Sequence, residues 1–213
     1  MKTNASIADI LQLSPVMPVV TIEDAEGGPD LARALVRGGI RVIEVTLRTP
    51  QALAAIKAIA REVPDICVGA GTVMSPDDLN LTADAGATFA ISPGTTRELL
   101  AAGANCRIPY LPAVCTASEL MTALAAGYRH FKLFPANVAG GVQALKAFYG
   151  PFADARFCPT GGISLQTAGS FLDLPNVLCV GGSWLTPLEL LKARDWGRIE
   201  SLAREAVGLR RQH

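Results

Sequence analysis

Lys132 is the side chain best placed for covalent chemistry, in the run His130-Phe131-Lys132-Leu133-Phe134-Pro135. Of the five lysines, Lys2 is near the start and Lys57, Lys146 and Lys192 fall on helical patterns. Lys132 alone sits in a strand-like run, flanked by two phenylalanines and a leucine and sharing its strand face with Phe134. A free lysine amine has a pKa near ~10.4, so only about one in a thousand is neutral near neutral pH. Desolvation disfavours the ammonium form and lowers such a pKa by up to several units. A drop of about three units corresponds to roughly 4 kcal/mol and yields an amine that attacks a carbonyl to form a Schiff base.

A proton-transfer partner is offered by Val42-Ile43-Glu44-Val45-Thr46-Leu47-Arg48. Strand side chains alternate between faces, so Ile43, Val45 and Leu47 suit a helix-covered face while Glu44, Thr46 and Arg48 point the other way, into the interior. Glu44 is the one carboxylate of 19 that falls inside a predicted strand. A Glu–Arg ion pair that only fills the interior is the bland alternative. It explains little, because buried charge is expensive and adds little net stability. A Lys132–Glu44 pair, by contrast, is what an imine-forming site with its own acid/base contains.

Two glycine-rich turns supply a third chemistry: Thr160-Gly161-Gly162-Ile163-Ser164 and Val180-Gly181-Gly182-Ser183-Trp184. Paired glycines let main-chain N–H groups converge on an anion. Metal and thiol chemistry find less support. The two histidines are His130 and the final residue, His213, too few for a clustered metal site or a well-supported Ser-His-Asp mechanism. No metal and no cofactor is expected. The cysteines 67, 106, 115, 158 and 179 are odd in number and lack C-x-x-C spacing, which reads as inert thiols in a reducing compartment.

These residues must be positioned by eight short β-rich runs that alternate with helical patterns. The runs are Met17–Ile22, Arg41–Leu47, Ile66–Val73, Thr88–Ser92, Arg107–Pro112, His130–Pro135, Arg156–Thr160 and Val177–Val180. Their starts lie about 23 residues apart on average, the length of a strand, a turn and a three-turn helix. Extra helices are expected at Ser6–Leu13 and Ile199–Arg210. Strict alternation implies a parallel sheet, and eight units predict a (β/α)8 TIM barrel with an extra N-terminal helix, one domain over residues 1–213. A doubly wound sheet is the rival, but no G-x-G-x-x-G follows the first strand. In the barrel, chemistry belongs at the C-terminal strand ends and phosphate after strands seven and eight, where both glycine turns fall. With 19 basic and 19 acidic residues the formal charge is zero, which argues against nucleic-acid binding. No apolar run is long enough to span a bilayer. Asp9 and Gln12 interrupt the N-terminal apolar stretch, so it does not read as a signal peptide and a cytoplasmic protein is expected.

The ordered set Glu44-x-Thr46-x-Arg48, Gly69-Ala70-Gly71-Thr72, Ile91-Ser92-Pro93-Gly94, Phe131-Lys132-Leu133-Phe134-Pro135-Ala136, Pro159-Thr160-Gly161-Gly162-Ile163 and Gly181-Gly182-Ser183 resembles the bacterial 2-keto-3-deoxy-6-phosphogluconate (KDPG) / 4-hydroxy-2-oxoglutarate (KHG) aldolases. The resemblance runs from about residue 10 to 205. It implies a metal-independent class I aldolase, a homotrimer, acting on a 2-keto-3-deoxy sugar-acid phosphate to release pyruvate in the Entner–Doudoroff pathway. It further implies that Lys132 forms the imine and Glu44 is the general acid/base. Arg48, Thr72 and Pro93 then hold the pyruvyl carboxylate, Phe134 and Thr160 line the substrate channel, and Gly161, Gly162, Gly182 and Ser183 bind phosphate. Two positions depart from the family pattern: Ala113 where glycine is usual and Asn137 where glutamate is frequent, both expected in loops at the mouth of the site. On the residues alone, two other classes stay open. One is an isomerase or synthase that uses Glu44 and Lys132 only for proton transfer, and the other is a sugar-phosphate sensor without catalysis.

Overall fold

The computed structural model describes residues 5–209; Lys2, Arg210 and His213 lie outside them. Helix α1 (Ile7–Leu11) precedes β1 (Val16–Val20), and then α2 (Gly28–Arg37), β2 (Val42–Thr46), α3 (Ala52–Glu62), β3 (Cys67–Gly71), α4 (Pro76–Asp84) and β4 (Ala90–Ile91) follow. Next come α5 (Arg97–Ala104), β5 (Tyr110–Leu111), β6 (Ala113–Val114), α6 (Ala117–Ala125), β7 (His130–Leu133) and α7 (Gly141–Tyr149). The chain continues through β8 (Arg156–Pro159), α8 (Leu165–Leu172), β9 (Val180–Gly182), α9 (Leu188–Ala193) and α10 (Trp196–Val207). Every expected strand region pairs in parallel with a neighbour. Among the described residues no helix is long and apolar enough to cross a membrane.

The helices begin where local chemistry tells them to. Ser6 with Asp9, Ser75 with Asp78 and Thr116 with Glu119 form reciprocal caps at α1, α4 and α6. Each satisfies two otherwise unpaired main-chain donors. Helix α2 buries Leu31, Ala32, Ala34 and Leu35 and packs between α3 and α10. In β2 the alternation holds: Ile43 and Val45 join the core under the helices, while Val42 faces the enclosed side.

The expected closed eight-stranded TIM barrel is not what forms. Six strands make one sheet, in the order β5-β4-β3-β2-β1-β9, and three make a second, β6-β7-β8. The interruption falls at Pro112: β5 lies within the expected fifth strand, Arg107–Pro112, and β6 forms just past that expected end. Proline has no N–H to donate to a ladder. Its carbonyl still accepts from the Lys132 N–H at 3.0 Å, so β6 continues beside β7 while β5 stays with β4. On the other side the two sheets meet only at isolated bridges, Phe157 with Val177 and Thr160 with Gly181. The architecture is therefore an α/β fold of two curled parallel sheets.

The sheets curve round a second apolar cluster of Met17, Val42, Phe89, Ile91, Leu111, Cys158 and Cys179, and Ile10 and Leu11 of α1 pack into it. Phe89 fits because β3 has glycine opposite; a Cβ at Gly69 would fall on the phenyl ring. Fully burying a side chain such as Phe89 is worth roughly 1.5–3 kcal/mol.

Candidate active site

Glu44 lies mid-strand in β2, paired with Val19 and Gly69, and Lys132 lies in β7 between Ala113 and Cys158. The two strands belong to different sheets, yet the Lys132 Nζ donates to Glu44 Oε1 at 2.9 Å and to Oε2 at 3.2 Å. Glu44 is 1% exposed and Lys132 5% exposed. Room for the carboxylate comes from Gly71, where a Cβ would collide with Glu44. The Phe134 ring lies 5.4 Å from Nζ, within range of a cation–π attraction.

A cleft of about 540 Å³ opens beside this pair. Seven of the expected residues line it: Arg48, Phe134, Thr160, Gly161, Gly162, Gly182 and Ser183. Glu44, Lys132, Thr72 and Pro93 are not in its lining; Phe134 connects the cleft to the lysine. Arg48 arrives differently from expectation. Strand β2 ends at Thr46, and a turn carries Arg48 to the cleft, exposed and without an ion pair among the described residues. Thr46 turns inward to Thr21 Oγ1 at 2.9 Å and the Val20 carbonyl at 3.1 Å. It bridges two strands and does not reach the cleft.

Thr72 follows the glycine that admits Glu44, and its φ is +60°. A β-branched residue in the left-handed region is strained by roughly 1–3 kcal/mol, and such strain clusters at ligand sites. Pro93 follows Ser92, whose hydroxyl is hydrogen-bonded to the Tyr110 hydroxyl at 2.6 Å. Thr160 is buried, and Gly181 makes space for it, since a Cβ there would meet the Thr160 hydroxyl. Gly161 and Gly162 have φ of +107° and +76°, a conformation that L side chains rarely adopt.

Ala113 is not in a loop. It lies in β6, in register beside Lys132, and is fully buried. Asn137 does lie in the turn after β7. The sequence reading missed Thr186, which lines the cleft, is buried, and has a hydroxyl with no partner among the described residues. Its position three residues past Ser183 was the available signal. A smaller hollow of about 260 Å³ adjoins the cleft and shares Thr21, Glu23, Leu188 and Leu191 with it. The hollow's charges are paired, Lys192 with Glu23 and Arg194 with Asp24.

Burial first, then the Arg156 charge, hold the His130 imidazole below its usual value. The neighbouring Cys158 thiol first, then burial, push the Cys179 thiol well up, away from the nucleophilic thiolate. Among the described residues no three His, Cys, Asp or Glu side chains cluster as metal ligands. Activity is therefore expected to survive dialysis against a strong chelator. Loss of turnover that zinc or magnesium restores would contradict this reading.

Known proteins match this chain along almost its whole length. A family model described as KDPG and KHG aldolase matches residues 7–202. The KHG/KDPG aldolase of Escherichia coli (strain K12) is 52% identical over 206 residues, covering 97% of this chain and 96% of that one. A 2-dehydro-3-deoxy-phosphogluconate aldolase of Pseudoalteromonas atlantica is 53% identical over 202 residues, covering 95% of this chain and 94% of its own. Among solved structures, KDPG aldolase from Legionella pneumophila, with pyruvate captured at low pH as a covalent carbinolamine intermediate, superposes with a TM-score of 0.94. It is 47% identical, and the match covers 96% of this chain and all of that one. A lysine–carboxylate pair between two strands, a cleft ending in two glycine turns, and relatives of this identity and coverage lead to one conclusion: the chain belongs to the KDPG and KHG aldolase family.

Proposed function

We propose that this chain cleaves KDPG to pyruvate and glyceraldehyde 3-phosphate, and KHG to pyruvate and glyoxylate, with Lys132 as the Schiff-base residue and Glu44 as general acid/base. The observation that carries this assignment is the buried pair, Lys132 Nζ to Glu44 Oε1 at 2.9 Å. Proton transfer within it gives a neutral amine and a carboxylic acid. The amine adds to the C2 ketone, the Glu44 carboxylic acid gives its proton to the departing hydroxyl as the carbinolamine loses water, and the protonated imine draws electrons as the C3–C4 bond breaks. Glu44, as carboxylate, takes the C4 hydroxyl proton, the aldehyde departs, and the same group returns a proton to the enamine carbon. Water then releases pyruvate and regenerates Lys132. Arg48, Thr72 and Pro93 hold the carboxylate end, and Phe134 and Thr160 line the channel.

The far end of the cleft, at Gly161, Gly162, Gly182 and Ser183, receives the phosphate in this proposal. A hydrogen bond to a charged group contributes about 1.5–3 kcal/mol. Ser183→Ala is therefore expected to lower kcat/KM for KDPG roughly tenfold or more, with a much smaller effect on KHG, which carries no phosphate. Parallel kinetics on the two substrates test this, and equal losses would return Ser183 to a structural role. One aldolase domain over residues 1–213, assembly as a homotrimer and a cytoplasmic location complete the proposal. The family match across residues 7–202 supports the first, the resemblance carries the homotrimer, and the cytoplasmic location rests on the residue reading above.

A further inference from the structure

We propose that Asn137 is a positioning residue whose side-chain amide turns the Ile163 N–H into the cleft, making it a further main-chain donor to the substrate phosphate. This rests on the reading of the glycine-turn end of the cleft as the phosphate site.

The turn after β8 is held by its carbonyls. The Ala136 N–H donates to the Thr160 carbonyl at 2.8 Å, and the Asn137 N–H donates to that of Gly161 at 3.1 Å. The third carbonyl, on Gly162, is held by a side chain: Asn137 Nδ2 donates to it at 2.5 Å. In a trans peptide unit the C=O and the following N–H point in opposite directions. Three carbonyls drawn to residues 136 and 137 therefore send the N–H groups of Gly161, Gly162 and Ile163 the other way. That side is the cleft, which Gly161, Gly162 and Ile163 line and Asn137 does not. None of the three N–H groups donates to an acceptor among the described residues.

The three donors are not equally secured. Main-chain bonds from Ala136 and Asn137 persist whatever side chain stands at 137, so Gly161 and Gly162 keep their orientation. The Gly162–Ile163 peptide depends on Nδ2 alone. It follows a glycine with φ of +76°, whose torsions are the least restricted of any residue, so without the amide this peptide is free to rotate. The approach is also close: a Cβ at Gly162 would lie 2.6 Å from Nδ2. Aspartate at 137 could only accept, and would set a negative charge beside both the carbonyl and a bound phosphate.

Amide NMR of the 15N-labelled protein titrated with inorganic phosphate tests the proposal, alongside kinetics of Asn137→Ala and Asn137→Asp. In the unsubstituted protein the Ile163 resonance is expected to move together with those of Gly161 and Gly162. In both variants the Ile163 response should fall away while the glycine responses remain. The ratio of kcat/KM for KDPG over KHG should drop about five- to tenfold through KM, more in Asn137→Asp. If the glycines respond and Ile163 does not, or if both variants respond and select like the parent, the role given to Asn137 is wrong and the phosphate site stands. If none of the three amides responds, the phosphate reading fails first and takes this inference with it. Because the first arm uses the unsubstituted protein, a variant that folds poorly does not remove the test.

Discussion

Pyruvate followed by borohydride is expected to abolish activity and to leave one reduced pyruvyl adduct per chain, on Lys132. Borohydride reduces an imine to a secondary amine that cannot be hydrolysed, so the adduct marks the lysine that formed it. Chemistry and access favour different lysines, which gives the experiment its force. Lys57, Lys146 and Lys192 are exposed and Lys132 is 5% exposed, so labelling governed by access alone would mark the others. Peptide mapping by mass spectrometry decides. An unmodified chain after treatment, or an adduct at an exposed lysine, removes Lys132 from its role. The unmodified chain would also favour a proton-transfer enzyme without a covalent step.

The second large effect belongs to Glu44. Glu44→Gln keeps the side-chain shape in the space left by Gly71 but ends proton transfer, a contribution typically of about 10²–10⁴ in rate. Turnover should fall on that scale, while the thermal transition stays cooperative and pyruvate is still trapped, more slowly. The competing outcome is physical as well. Removing one partner of a buried ion pair costs about 3–5 kcal/mol, and if that dominates, the variant melts near ambient temperature. Circular dichroism with single-turnover kinetics separates the two. A folded protein with slow chemistry assigns Glu44 to catalysis, and an unfolded one assigns it to the scaffold.

A βα repeat writes its period plainly in apolar runs separated by helical patterns, and all eight expected regions hold strands, while β6 lies outside them. The alternation in β2 placed Glu44 on the enclosed face correctly. It overreached at Arg48, since alternation holds only while the strand lasts, and β2 stops at Thr46. Ala113, just past the expected strand end at Pro112, was expected in a loop at the mouth of the site. Instead the proline interrupts only a donor, and the strand resumes beside Lys132.

The sequence by itself determined the chemistry on offer: one lysine and one carboxylate among strand residues, and two glycine turns at late strand ends. Those are properties of residue type and local period, which a chain carries whatever its topology. Only the tertiary structure decided that Glu44 and Lys132, 88 positions apart, meet at hydrogen-bond distance. It also decided that the sheets divide at Pro112 instead of closing into one barrel. A contact between strands of different sheets depends on curvature and on where glycines leave room, as Gly71 does for the carboxylate. Closure depends on an unbroken ring of donors, which a proline interrupts. The direction of the Ile163 N–H has the same origin, since a peptide plane is oriented by what its carbonyl finds in space.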